Sequence, residues 1–151
     1  MADPGRPRRW PAYAMALLLL GYAAGKAAFA LQARLGFPGG PPVSAAETAD
    51  YFLDPAPAQW LACASGVLGA FIAVASVTVL GRGVPRPVML VVLAVMTLSV
   101  IGGGGIMMLD GFVGIGVGWQ WYHGVAGLVA ITLSVEMFRS YARTARAVAH
   151  T

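Results

Sequence analysis

Among the ionisable side chains within or beside otherwise apolar stretches are Lys26, Asp110 and His123. An ammonium, a carboxylate and an imidazole could together hold a small charged molecule or pass a proton. Ionisable groups inside a bilayer are costly and often mark such pathways. Tyr22 lies four residues before Lys26 and so shares its helix face. Gln59 and Gln120 stand at the ends of apolar runs. The candidate ligand-binding set is therefore Tyr22, Lys26, Asp110, Gln120 and His123. Each has a plainer reading as well. Lys26 can snorkel to a headgroup or make a structural pair, Asp110 can cap a helix or sit in a loop, and His123 can be a hydrogen-bonded interface histidine.

Catalytic templates find little here. The sequence contains no HExxH and no serine nucleophile elbow. The second histidine, His150, falls on the tail, so one chain does not offer two axial imidazoles to a haem. Cys63 is the one cysteine, which excludes an intrachain disulfide and a CxxC redox pair. Its position in an apolar run suits a small packing residue. The run "GFVGIGVG" is Gly-rich, but no strand precedes it and its spacing departs from the dinucleotide fingerprint. No cofactor or metal is expected, and the balance leans away from an enzyme.

The elements that carry these residues are set by composition. Hydrophobic residues make up 58% of the 151 and charged residues 11%, with a mean hydropathy of +0.73. Soluble domains carry roughly 25% charged residues, so most of this surface faces lipid. A spanning helix needs about 20 mainly apolar residues, and four stretches qualify: residues 11–35, 58–80, 84–109 and 119–138. The expected fold is all-α, an antiparallel four-helix transmembrane bundle forming one integral membrane domain over residues 1–151.

Charge orients it. Arg6, Arg8, Arg9, Arg82, Arg86, Arg139, Arg143 and Arg146 are eight of the ten basic residues, and all flank one end of the spans. The other end carries Glu47, Asp50, Asp54 and Asp110, with Arg34 at its edge. The positive-inside rule then makes both termini cytoplasmic in the cell membrane. The pI near 9.7 reflects these flanking arginines rather than a nucleic-acid surface. Trp10, Tyr13, Phe138 and Tyr141 belong to the inner interface; Tyr51, Trp60, Trp119, Trp121 and Tyr122 belong to the outer one. A cleaved signal peptide is the competing reading of the start, with residues 6–9 as n-region, 14–20 as apolar core and 28–30 as an A-x-A site. Cleavage would leave three spans. The length of the run and Lys26 beside the cut favour a retained helix. Lys26 then lies roughly 22 Å along it from Pro11 at ~1.5 Å per residue, nearer the outer face than the centre.

The outer loop, residues 36–57, opens with "GFPGGPP", which ends helix one. Ser44 and Glu47 have capping-box spacing and predict a short outer interfacial helix over 45–53. "GRGVPRP" is a tight inner turn. Residues 110–118 fit either a loop or the start of a long fourth helix. Small residues at Gly21 and Gly25, at Ser65, Gly69 and Ala73, and at Gly124 and Gly127 suit close helix packing, within the chain or across a dimer. Four consecutive glycines, 102–105, predict a kink or unwound turn.

The stretch "GYAAGKAAFALQARLGFPGG" resembles the first-helix region of small actinobacterial four-span membrane proteins of unknown function, through its Tyr/Lys face and the Gly-Phe-Pro break after it. The Gly…Gly-Lys turn is similar, more distantly, to DoxX-like four-helix proteins. Either resemblance implies a four-helix membrane fold and no particular reaction. The expected function is an accessory or scaffold subunit acting through membrane lipids, a homo-oligomer or a membrane-protein partner, with no nucleic acid. The alternatives are a binder or transporter of a small molecule or lipid through an outer-facing polar pocket and, less favoured, a membrane enzyme.

Overall fold

The computed structural model describes residues 8–149, with side chains described as far as Arg143. Arg6, His150 and the Arg146 side chain lie outside the described residues. The described chain is all-helical: α1 (Trp10–Leu31), α2 (Ala45–Ala49), α3 (Pro55–Ala75), a 3-10 turn at Val79–Gly81, α4 (Arg86–Val113) and α5 (Trp121–Ala149). Helices α1, α3, α4 and α5 are long and apolar enough to cross a membrane. The shortest, α3, has 21 residues, roughly 31 Å at ~1.5 Å per residue. Large apolar side chains in mid-helix face outward, Leu17, Leu61, Val91 and Leu98 among them.

The helix ends follow local chemistry. α1, α3 and α4 each carry proline in the first turn, where its missing N–H costs nothing and its fixed φ favours the helix. α1 stops at Leu31 rather than continuing to residue 35. Ala33 adopts φ +49, and Arg34 N–H bonds back to Phe29 O at 3.0 Å, closing the last turn. α3 begins three residues earlier than expected, at Pro55, and ends at Ala75. The Ser44–Glu47 capping box forms with both of its hydrogen bonds, yet α2 runs only to Ala49. Residues 50–53, expected to be helical, form a turn instead.

The glycine run does not break α4. The helix is continuous from Arg86 to Val113. Glycine's helix penalty of about 1 kcal/mol is measured in water. An apolar surround offers unwound backbone no hydrogen-bond partners, so the helical ladder is kept. Gly104 also has a packing reason to lack a side chain. A Cβ on Gly104 would lie 3.1 Å from Gly127 O, and one on Gly127 would strike Gly104 O, so the α4 and α5 backbones touch there. Gly102, Gly103 and Gly105 face open space.

The helices pack as two intimate pairs, α1 with α3 and α4 with α5. Gly66 sets the first crossing, where an added Cβ would meet Tyr22, Leu19 O and Ala23. Direct contact between the pairs runs mainly through α1 and α5; α3 and α4 barely touch. One core joins all four helices at the arginine-flanked end: Ala12, Met15 and Ala16 of α1, Ala70, Ala73 and Ala75 of α3, Met89 and Leu93 of α4, Leu133 and Met137 of α5. At the opposite end, the loop end, Ala30 and Gln59 are buried in the first pair, and Asp110, His123 and Gly124 in the second. Coil segments bridge the pairs there: an added Cβ on Gly40 would meet the Trp119 ring at 3.0 Å, and one on Gly118 would meet Pro41 at 3.4 Å.

Candidate functional site

The loop end holds two polar corners. The first is built by α1, the turn after it and the first turns of α3. Lys26 Nζ donates to Gly36 O at 2.9 Å and sits 5.5 Å from the centre of the Tyr22 ring, within cation–π range. Gln59, buried at the start of α3, donates through Nε2 to the same Gly36 O at 2.9 Å and to Arg34 O at 3.0 Å. Gly36 has φ +107, a conformation glycine adopts without steric cost. Phe37 then folds back over Gly25 and stacks on Tyr22, ring centres 6.0 Å apart and planes 9° from parallel. The turn is thereby fixed onto the helix it leaves.

Beside this turn lies a cleft of about 490 Å³, lined by Lys26, Gly36, Glu47, Asp50, Tyr51 and Gln59 with apolar neighbours. It is half-open and of a volume typical of small-molecule sites, ~300–1,000 Å³. Glu47 does not reach across to the ammonium. Its carboxylate accepts from Ser44 N at 2.8 Å, and the Ser44 hydroxyl, together with the Ser44 backbone, holds Glu47 below its ordinary pKa.

The second corner belongs to α4, α5 and the segment between them. α4 ends at Val113, and 114–120 is a loop rather than a fourth-helix extension. Gly114, Gly116 and Gly118 all take positive φ, at +78, +91 and +98. Alternating such residues with ordinary ones turns successive N–H groups inward, forming an anion-binding concavity. Asp110 fills it. Its carboxylate accepts from Val117 N at 3.0 Å and Trp119 N at 2.5 Å. Its own carbonyl accepts from Gly114 N at 2.9 Å, closing the helix end. Asp110 is 4% exposed, which removes its carboxylate from contact with an outside molecule.

His123 performs a related task. Its Nδ1 accepts from Gln120 N at 3.2 Å, as the acidic side chain of a capping box does. That leaves Nε2 as the protonated nitrogen in the neutral ring. The imidazole packs against Trp119 and Tyr122, with centroid distances of 4.9 and 4.3 Å. Gln120 contributes its backbone to this cap, and its side chain is exposed.

Of the sequence-derived set, Tyr22 and Lys26 come together in one corner, and Asp110, Gln120 and His123 in the other. Lys26 bonds a carbonyl rather than Asp110. Gln59, Glu47, Asp50 and Tyr51 stand outside the ligand-binding set drawn from the sequence, although Gln59 shares its outer depth. A lone amide opening an apolar helix was the available signal for Gln59. Among the described residues no group of three or more His, Cys, Asp or Glu could hold a metal ion. Comparison with protein families, curated proteins and solved structures finds no match to this chain.

Proposed function

We propose that this chain is a small polytopic membrane protein that works as an accessory or scaffold subunit rather than through a reaction of its own. In this reading the four long helices form an antiparallel bundle across the cell membrane, with both termini cytoplasmic. The grouping of Arg8, Arg9, Arg82, Arg86, Arg139 and Arg143 at one end supports that orientation. So does the burial of Ala12, Met15 and Ala16 against Met137, which makes α1 a structural part of the bundle. The resemblance of the first-helix segment to small four-span proteins supports it too.

One observation carries the functional half. Polar groups singled out within the spans hydrogen-bond the chain's own backbone: Lys26 and Gln59 at Gly36 O, Asp110 at the Val117 and Trp119 amides, His123 at Gln120 N. Groups committed in this way position loops, whereas a catalytic acid, base or nucleophile must be free to meet substrate. Work then falls to surfaces, and the partners are lipids, further copies of the chain or another membrane protein.

The test is in-membrane crosslinking of the tagged chain followed by purification and mass spectrometry. A stoichiometric partner or homo-oligomer is the expected result; a monomer that turns over a substrate without partners overturns the reading. Orientation is checked separately, in a Cys63→Ser background, by impermeant thiol labelling of Gly39→Cys and Arg143→Cys. Gly39→Cys should label from outside and Arg143→Cys only after permeabilisation.

A further inference from the structure

Charges in the first corner are distributed in a way that structure alone does not require. One cleft is lined by an ammonium from α1 and by two carboxylates from α2 and its C-cap, yet the opposite charges do not close on each other. Lys26 bonds Gly36 O, Glu47 turns back to Ser44 N, and among the described residues neither Glu47 nor Asp50 forms an ion pair with Lys26. The Asp50 side chain is exposed and, among the described residues, forms no hydrogen bond. Lys26 has three N–H donors and uses one. A lysine and two acids lining about 490 Å³ without meeting leave a gap whose walls attract opposite charges.

We propose that this cleft binds a zwitterion: a small molecule or headgroup whose anionic group meets the free N–H donors of Lys26 and whose ammonium meets Asp50 and Glu47. A simple anion would gain from Lys26 and be repelled by the acids, and a simple cation the reverse. A dipolar group satisfies both walls, and its charges are paired across the site rather than left exposed to a low-dielectric surround. Tyr51 supplies a hydroxyl and a ring face beside the acids. Leu35 and Val43 give the cleft an apolar flank that suits an acyl chain. The shared chemistry is ammonium plus phosphate or carboxylate, supplied either by an aminophospholipid headgroup or by a free zwitterion.

The experiment uses the purified full chain in phosphatidylglycerol nanodiscs and isothermal titration with four probes: O-phosphoethanolamine, ethanolamine, inorganic phosphate and dihexanoyl phosphatidylethanolamine. O-phosphoethanolamine should bind at least tenfold more tightly than either half-probe. Lys26→Met and Asp50→Asn should each weaken it about tenfold, with thermal unfolding unchanged in Asp50→Asn. A further tenfold gain for the short-chain lipid identifies the headgroup as the source; equal binding identifies a free zwitterion. Lys26→Met can disturb the turn at Gly36, so Asp50→Asn decides. Undiminished binding to a folded Asp50→Asn, half-probes that bind as well as the whole, or no binding by any probe overturns the proposal.

Discussion

The Lys26 and Asp110 corners are opposite solutions to one problem, a formal charge placed at the end of an apolar helix pair. Asp110 is enclosed. Two backbone amides converge on its carboxylate, and a loop with three positive-φ glycines is shaped around it. Lys26 is half enclosed. It spends one donor on a carbonyl, leans on a tyrosine ring and keeps the rest of its ammonium facing a cleft. An anion can be satisfied by the backbone alone, because a short glycine-rich loop supplies many N–H groups at once. A cation must find carbonyls one at a time, and most of those are committed to helices. The difference separates a charge that builds structure from one that remains available.

Removing Asp110 is the sharpest way to break the comparison, and it carries the largest expected effect. Asp110→Ala removes the acceptor of the Val117 and Trp119 amides and with it the anchor that holds the loop to the end of α4. Thermal unfolding in detergent should fall by on the order of 5–10 °C, and Lys26→Met should fall by much less. Equal losses would erase the distinction between the corners. A steric pair comes next. A Cβ at Gly111 would lie 2.8 Å from Gln120 O and from Gly124 N, all backbone, whereas one at Gly25 would strike only the Phe37 ring. Gly111→Ala should cost about 2–3 kcal/mol in chemical-denaturant unfolding. Gly25→Ala should cost less, because a ring can tilt where a peptide cannot.

Lys26→Met itself should cost about 1 kcal/mol, the net worth of one hydrogen bond to a charged donor that is already partly wet. The same denaturation series measures it. The smallest effect is pH-dependent and belongs to the loop over the cleft. Glu47 is held below its ordinary pKa by Ser44. Its capping contribution is therefore present above the ordinary glutamate range and is lost as pH falls through the lowered value. Amide exchange at residues 44–48 should quicken over that acidic interval in the native chain and show no such step in Glu47→Gln.

Much of this molecule can be read from its residues. Four apolar runs of spanning length become four long helices, because hydropathy over 20 residues is a strong signal and lipid permits few alternatives. Ends were less legible. α1 stops short of residue 35 because Ala33 turns left-handed, a choice made by the following Gly-Phe-Pro contacts rather than by hydropathy. The glycines at 102–105 misled for a physical reason: their helix penalty is a property of water, and α4 is not built for water. The site was hardest to read. Lys26, Asp110 and His123 lie at similar depths by residue counting, but depth does not fix azimuth, and each took a backbone group as its partner. Backbone partners leave no mark in a search for complementary side chains, so Gly36 O and the Val117 and Trp119 amides could not be foreseen.

Trp119 occupies the seam between the corners, its ring against Gly40 on one side and His123 on the other. Its indole thus touches the segment that folds over the cleft and the imidazole that starts α5. A molecule wedging into the cleft would shift that segment against a natural fluorophore. A shift of the His123 ring would alter the same emission through quenching. With Trp10, Trp60 and Trp121 replaced by phenylalanine, the protein carries its own optical gauge of both corners, needing no added dye.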